Sequence, residues 1–169
     1  MVEHGHVIKH RVLPMIAAIV IAAIAIIVLF SAYYSAGPFQ TAESTYVGKL
    51  TSVVDIMRAT DLQERQAIQD WKNSKLLADE AISVFTNLQA ERMQIRENLN
   101  RIVAPASFQE IHQGIYDSNE LWINSDSNYI QGILQIDDKI IERADAEAKN
   151  ANQNFNLAIE KLRTQGFDI

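Results

Sequence analysis

A run of 31 residues, from Val12 to Ala42, contains no charged side chain. About 20 apolar residues suffice to cross the hydrocarbon core of a bilayer, so a run of this length is not the mark of an ordinary soluble domain. Pro14 stands where proline is tolerated, in a first helical turn. Gly37-Pro38 is a helix stop. The pattern predicts a transmembrane helix over residues 12–36, roughly 37 Å long at about 1.5 Å per residue, enough to span the core with some tilt. Tyr33 and Tyr34 fall at its C-terminal end, where amphipathic rings favour the interface.

A cleaved leader is the rival reading, but it calls for an apolar stretch of about 7–15 residues and an A-x-A-like site. Here the run is longer, and cleavage after Ala36 would put the bulky Tyr34 at the −3 position. A retained signal anchor is therefore expected. Lys9 and Arg11 precede the run, whereas the first positive residue beyond it is Lys49. The positive-inside rule then assigns residues 1–11 to a cytoplasmic tail and everything after the span to the extracytoplasmic side. Residues 37–40 form a linker. Ala18 and Ala22 make a small-xxx-small pair that allows close helix packing within the bilayer.

Residues 41–169 read as all-α. Only Gly48 and Gly114 precede Gly132 in this part, and Pro105 is its one proline. Tyr46, Leu50, Val53, Met57, Thr60, Glu64, Ala67 and Trp71 keep a 4-3-4-3 spacing, the stripe of an amphipathic helix. A second stripe runs through Leu77, Ala81, Val84, Leu88, Ile95, Leu99 and Ile102. A third joins Phe108, Ile111, Ile115, Ser118, Trp122, Ser125 and Tyr129, and a fourth joins Ile141, Ala144, Ala148, Ala151, Phe155, Ala158 and Leu162. Ser107 to Glu110 has the form of a capping box. Asn124 to Asn128 is five poor helix formers in a row, so the third helix ends either there or at Gly132. The Gly132 break gives helices over about 41–72, 74–104, 107–131 and 136–165, with Asp137 capping the last and Ile136 and Ile141 stapling its start. Matched lengths favour an antiparallel four-helix bundle.

Chemistry is sparse. The chain has no cysteine, which excludes disulfides, thiolate metal sites and cysteine catalysis. After the apolar run there is one histidine, His112, and no Glu-x-x-His, so the carboxylate-bridged dimetal site that bundles can house lacks its ligands. No Gly-rich phosphate loop occurs. These features argue for a non-catalytic protein. Residues 41–169 carry 13 Lys and Arg against 20 Asp and Glu, which argues against nucleic acid as a partner. Pairs of alternating sign such as Glu91-Arg92 read as a solvated face, and Glu64, though on a stripe, as a carboxylate reaching water near a helix end.

Some side chains have a functional reading beside the bland one. His112 is either a half-buried histidine bonded to a carbonyl or carboxylate, or a pH-sensing or ligand-contacting group. Trp122 and Tyr129 are core aromatics or pocket-lining ligand contacts. In the tail, removal of Met1 would place His4 third, and its imidazole with the terminal amine and two amides would make a square-planar nitrogen set suited to Cu(II) or Ni(II), with His6 and His10 adding to it. The alternative is a solvated tail with incidental histidines and no cofactor.

The stretch Ala104-Pro105-Ala106-Ser107-Phe108-Gln109-Glu110-Ile111-His112, with Tyr129-Ile130-Gln131-Gly132 and an Ala-rich last helix, resembles a loose class of membrane-anchored helical domains of prokaryotes, archaea included. The resemblance implies a fold and no chemistry. The architecture also resembles the four-helix sensor domains of chemoreceptors, although no second membrane helix follows Ile169, so a complete sensor of that type is not expected. The leading expectation is a single-pass membrane protein whose extracytoplasmic bundle is an interaction module or accessory subunit of a larger membrane complex. Ala18, Ala22 and the off-stripe Phe85, Tyr116 and Ile159 are its candidate contacts. A ligand-binding or sensory bundle and a pilin-like filament subunit are the alternatives. The last would need processing before the apolar run, where residues 8–12 show no clear site.

Overall fold

The computed structural model describes residues 42–169. Four helices are packed together: α1 (Ala42–Lys72), α2 (Ala78–Arg101), α3 (Gln109–Gln135) and α4 (Asp138–Thr164), with a 3-10 turn at Ala106–Phe108 before α3. Among the described residues no helix is long and apolar enough to cross a membrane. The membrane helix expected over 12–36, and with it Ala18, Ala22, His4, His6 and His10, lies outside the described residues.

The helices run up and down. On the α1–α4 seam Lys72 pairs with Asp145 at 2.8 Å and Arg65 with Asn152 at 2.6 Å, one number rising as the other falls. The α2–α3 seam behaves likewise, with Arg92 bonded to Asp126 and Arg96 facing Glu120. Side chains of the first, third and fourth stripes are buried almost throughout. The second stripe is buried at Ala81, Leu88, Ile95 and Leu99 and departs from the expected one at Leu77 and Val84. It passes through Ala81, Phe85, Leu88, Arg92, Ile95 and Leu99, and Leu77, from which the spacing had been counted, is 72% exposed.

α2 is shorter at both ends than expected. Ser74 has a φ of 57° and Leu77 is extended, so the chain turns through residues 73–77 before α2 begins. The Leu77 amide donates to the Glu80 carboxylate at 2.9 Å, satisfying one of the orphan donors of the first turn. The capping box expected at Ser107 does not form. A 3-10 turn closed by the Phe108 amide on the Pro105 carbonyl carries Ser107 towards α1, where its hydroxyl donates to Glu43 at 2.8 Å. Glu110 pairs with Lys161 of α4 instead of reaching back.

α3 runs to Gln135, four residues beyond the expected end, and Asn124 to Asn128 are helical. These poor helix formers are held by tertiary partners: Ser125 by α1 and α4, Asp126 by Arg92, Ser127 by Gln89, and Asn128 by Glu147. Gly132 is inside the helix. A Cβ there would lie 2.6 Å from Ile141 Cγ1 and 3.2 Å from the Ile141 amide nitrogen, so glycine is needed for the close return of α4. The left-handed position that ends α3 belongs to Ile136, with φ 53° and ψ 46°. The Asp137 amide bonds the Gly132 carbonyl at 3.0 Å, the long-range bond of a Schellman turn. Asp137 caps α4 as expected, accepting from the Lys139 and Ile140 amides. Ile136 staples nothing, being 91% exposed.

Candidate functional site

Two apolar clusters fill the bundle, a lower core nearer Ala42 and an upper core nearer the α1–α2 turn, and a layer of charge lies between them. Arg92, on the stripe of α2, is completely buried. Its guanidinium donates to Glu64 Oε2 of α1 at 2.9 Å, to Asp126 Oδ2 of α3 at 2.6 Å and to the Trp122 carbonyl at 3.2 Å. It also lies over the Trp122 ring, 5.4 Å from the centroid, a cation–π distance. Ser125 Oγ is within hydrogen-bond distance of Glu64 Oε1 and of the Ala144 carbonyl, which brings α4 into the layer. Asn119 donates to the Arg92 carbonyl at 2.9 Å. One guanidinium thus fastens three helices, and Ser125 ties in the fourth.

The charges do not balance. Two buried carboxylates face one buried cation, and desolvation penalises the uncompensated charge. Burial raises the carboxyl of Glu64 above its ordinary range, against the opposing pull of Arg92. Burial likewise pushes Asp126 up to about 8. Two buried carboxyls beside one guanidinium therefore hold a proton more readily than free carboxyls do. Arg92 Nε, Trp122 Nε1, Asn119 Oδ1 and Asp126 Oδ1 are buried without a protein partner among the described residues. Two of these atoms are nitrogen donors and two are oxygens. The layer can bind a proton and hold the helices in register. Its carboxylates are closed to solvent.

Sequence reasoning missed this layer. Glu64 was expected to reach water near a helix end, yet it is 1% exposed, because α1 continues two turns beyond it and Arg92 faces it. Arg92 was assigned to a solvated face. The available signal was the gap in the second stripe between Leu88 and Ile95, where Arg92 occupies the vacant core position. Asp126 was masked by its place in a segment that resembled a loop.

Of the proposed contact residues, Phe85 is fully buried and stacks on Tyr129 with centroids 4.6 Å apart, so it offers no surface for a partner. Ile159 is also buried, and Tyr116 is half-buried against the lower core. Phe85, one residue on from the expected Val84, is the inward residue of that turn. Trp122 belongs to the charged layer. Tyr129 lies in the upper core, its hydroxyl bonded to Asp145, and burial raises its pKa. His112 Nδ1 lies 3.2 Å from the Tyr46 hydroxyl, in place of the expected carbonyl or carboxylate, and burial pushes the imidazole down from its ordinary value. Among the described residues no group of three His, Cys, Asp or Glu side chains is placed to hold a metal.

No protein-family model matches the sequence, and neither a curated protein nor a solved structure matches it.

Proposed function

We propose that this chain is a non-catalytic, single-pass membrane protein. In this reading residues 12–36 span the bilayer, the N-terminus is cytoplasmic, and the extracytoplasmic bundle is an interaction module or accessory subunit of a larger membrane complex. The observation that carries the interaction reading is the end of the bundle away from Ala42. There the α1–α2 and α3–α4 turns present Leu77, Leu134 and Ile136, exposed to 72%, 65% and 91%. Ile136 also holds a left-handed conformation that costs a residue bearing a Cβ roughly 1–2 kcal/mol. An aliphatic side chain kept in water, on a backbone that suits glycine, is accounted for by a partner that buries it. Interfaces draw most of their energy from a few such anchors.

The test is co-purification of the full chain after mild detergent extraction. A stoichiometric partner should accompany the native chain and be lost from a Leu77→Ser, Leu134→Ser double variant that melts normally. Recovery of the native chain as a lone monomer overturns the reading. Protease added to intact cells should reach the segment after Pro38 and spare residues 1–11. Protection of the bundle would reverse the orientation.

A sensory bundle is the second reading, favoured by the buried Arg92 that links α1, α2 and α3 and by the Asp126 carboxyl beside it, which burial raises above its ordinary range. It predicts that Asp126→Asn abolishes a response while changes at Leu77 and Leu134 are silent.

A further inference from the structure

The opposite end of the bundle has a different surface. The first five residues of the α2–α3 connection, Ile102-Val103-Ala104-Pro105-Ala106, carry no polar side chain. Ile102 and Ala104 lean on the lower core, whereas Val103 is 89% exposed. Beside it a groove of about 260 Å³ is lined by Ala42, Thr45, Tyr46, Lys49, Arg101 and Val103. Lys49 makes no ion pair among the described residues. Arg101, with 76% of its side chain exposed, has Glu97 at 3.6 Å. The nearby acid Glu43 is occupied by the Ser107 hydroxyl. An apolar tip flanked by two exposed cations therefore lies at the bundle end where the chain emerges from the uncharged run.

A short covalent link limits how far that end can stand from a membrane span. Resting on the reading of residues 12–36 as a membrane span, only residues 37–41 separate Ala36 from the first residue of α1. Extended chain covers at most about 3.6 Å per residue, which keeps the start of α1 within roughly 20 Å of the span. We propose that this end of the bundle docks on the lipid surface, with Val103 immersed in the interface and Lys49 and Arg101 against lipid phosphates. Apolar side chains beside basic ones are the composition that binds interfaces, and cations near the surface are drawn to anionic headgroups. Docking of this end leaves the Leu77–Ile136 end facing away from the lipid.

The absence of cysteine permits single-site labelling of the full chain. Val103→Cys and Ile136→Cys, each carrying an environment-sensitive fluorophore, would be reconstituted into vesicles of phosphatidylcholine with and without phosphatidylglycerol. Carbonate extraction is run on both. The label at 103 should emit at shorter wavelength and be quenched by lipid-borne nitroxide about threefold more than the label at 136. The gain from phosphatidylglycerol should disappear when Lys49→Glu and Arg101→Glu are added. If the chain is embedded but position 103 is as aqueous as 136, the docking proposal fails and the anchor reading stands. If carbonate releases the chain, the anchor reading itself fails. If the charge reversal leaves the phosphatidylglycerol gain intact, the assignment of Lys49 and Arg101 is overturned.

Discussion

The two halves of the bundle core are built differently. The lower half, nearer Ala42, is packed with large side chains, among them Leu50, Met57, Ile95, Leu99, Phe108, Ile115 and Leu162. The upper half relies on Ala67, Ala81 and Ala144 around the stacked rings of Phe85 and Tyr129. Small residues let helices approach closely, and Gly132 continues that theme where α3 meets α4. Large aliphatic residues contribute more buried area each, at about 25 cal/mol per Å². Between the halves stands the Arg92 layer. A buried ion pair is weak evidence for stability, because desolvation offsets much of the Coulomb attraction, whereas removing one partner is severe. The comparison teaches that the lower half supplies apolar stability and that the layer dictates which helix faces meet.

The largest expected effect breaks the layer. Arg92→Met leaves two buried acids without their cation and should destabilise the bundle by about 3–5 kcal/mol at pH 7, read by urea unfolding. Replacing the whole set (Arg92→Met, Glu64→Leu, Asp126→Leu) should restore stability to near the native level or above it. A triple variant as unstable as the single one would show that the layer contributes net stability and does more than hold register.

Next comes the lower core. Ala151 is fully buried there, and Ala151→Asp places a charge among apolar neighbours without a partner. A loss of about 3 kcal/mol is expected in thermal or urea denaturation. A native-like melting curve would mean that α4 does not pack tightly at this position.

The third effect is a dependence on pH. The Asp126 carboxyl is raised in the folded state, so between its ordinary value of 3.8 and about 8 the folded chain binds more protons than the unfolded one. Stability from this group is therefore full below the lower value, falls as pH rises through the window, and is gone above about 8. The slope is at most about 1.4 kcal/mol per pH unit. From pH 6 to 8 the native melting temperature should fall, and Asp126→Asn should remove that fall. At the acid end Asp70, held low by Gln66 and Lys75, and Glu110, held low by Lys161, act in the opposite sense. Their contribution is lost as pH drops through their folded values. An equal alkaline slope in Asp126→Asn would assign the proton elsewhere.

The smallest effect sharpens the contrast between the bundle ends. Ile136→Gly relieves the left-handed strain and should stabilise the fold by about 1 kcal/mol, less the chain entropy that glycine adds. The same change should weaken association with a partner. A variant that is more stable yet still fully associated would remove Ile136 from the interaction surface.

Periodicity was sufficient for much of the fold. The 4-3-4-3 spacing of three stripes coincides with buried faces, and α1 begins and ends within a residue of where the pattern places it, because helix faces are written in the order of residues. Asp137 as a cap is equally local. What only the tertiary structure decided were the features set by distant partners. Ser125 to Asn128 remain helical because Glu64, Arg92, Gln89 and Glu147 hold their side chains, an advantage no local propensity contains. Gly132 serves α4 and not the end of α3, because Ile141 crowds it. Phe85 turns inwards, in place of its neighbour Val84, where it stacks on Tyr129 of α3. Glu64, Arg92 and Asp126 lie far apart in the chain, and each alone reads as a surface charge. Their burial follows from three helices meeting at one level, where each charge is worth keeping only in the presence of the others.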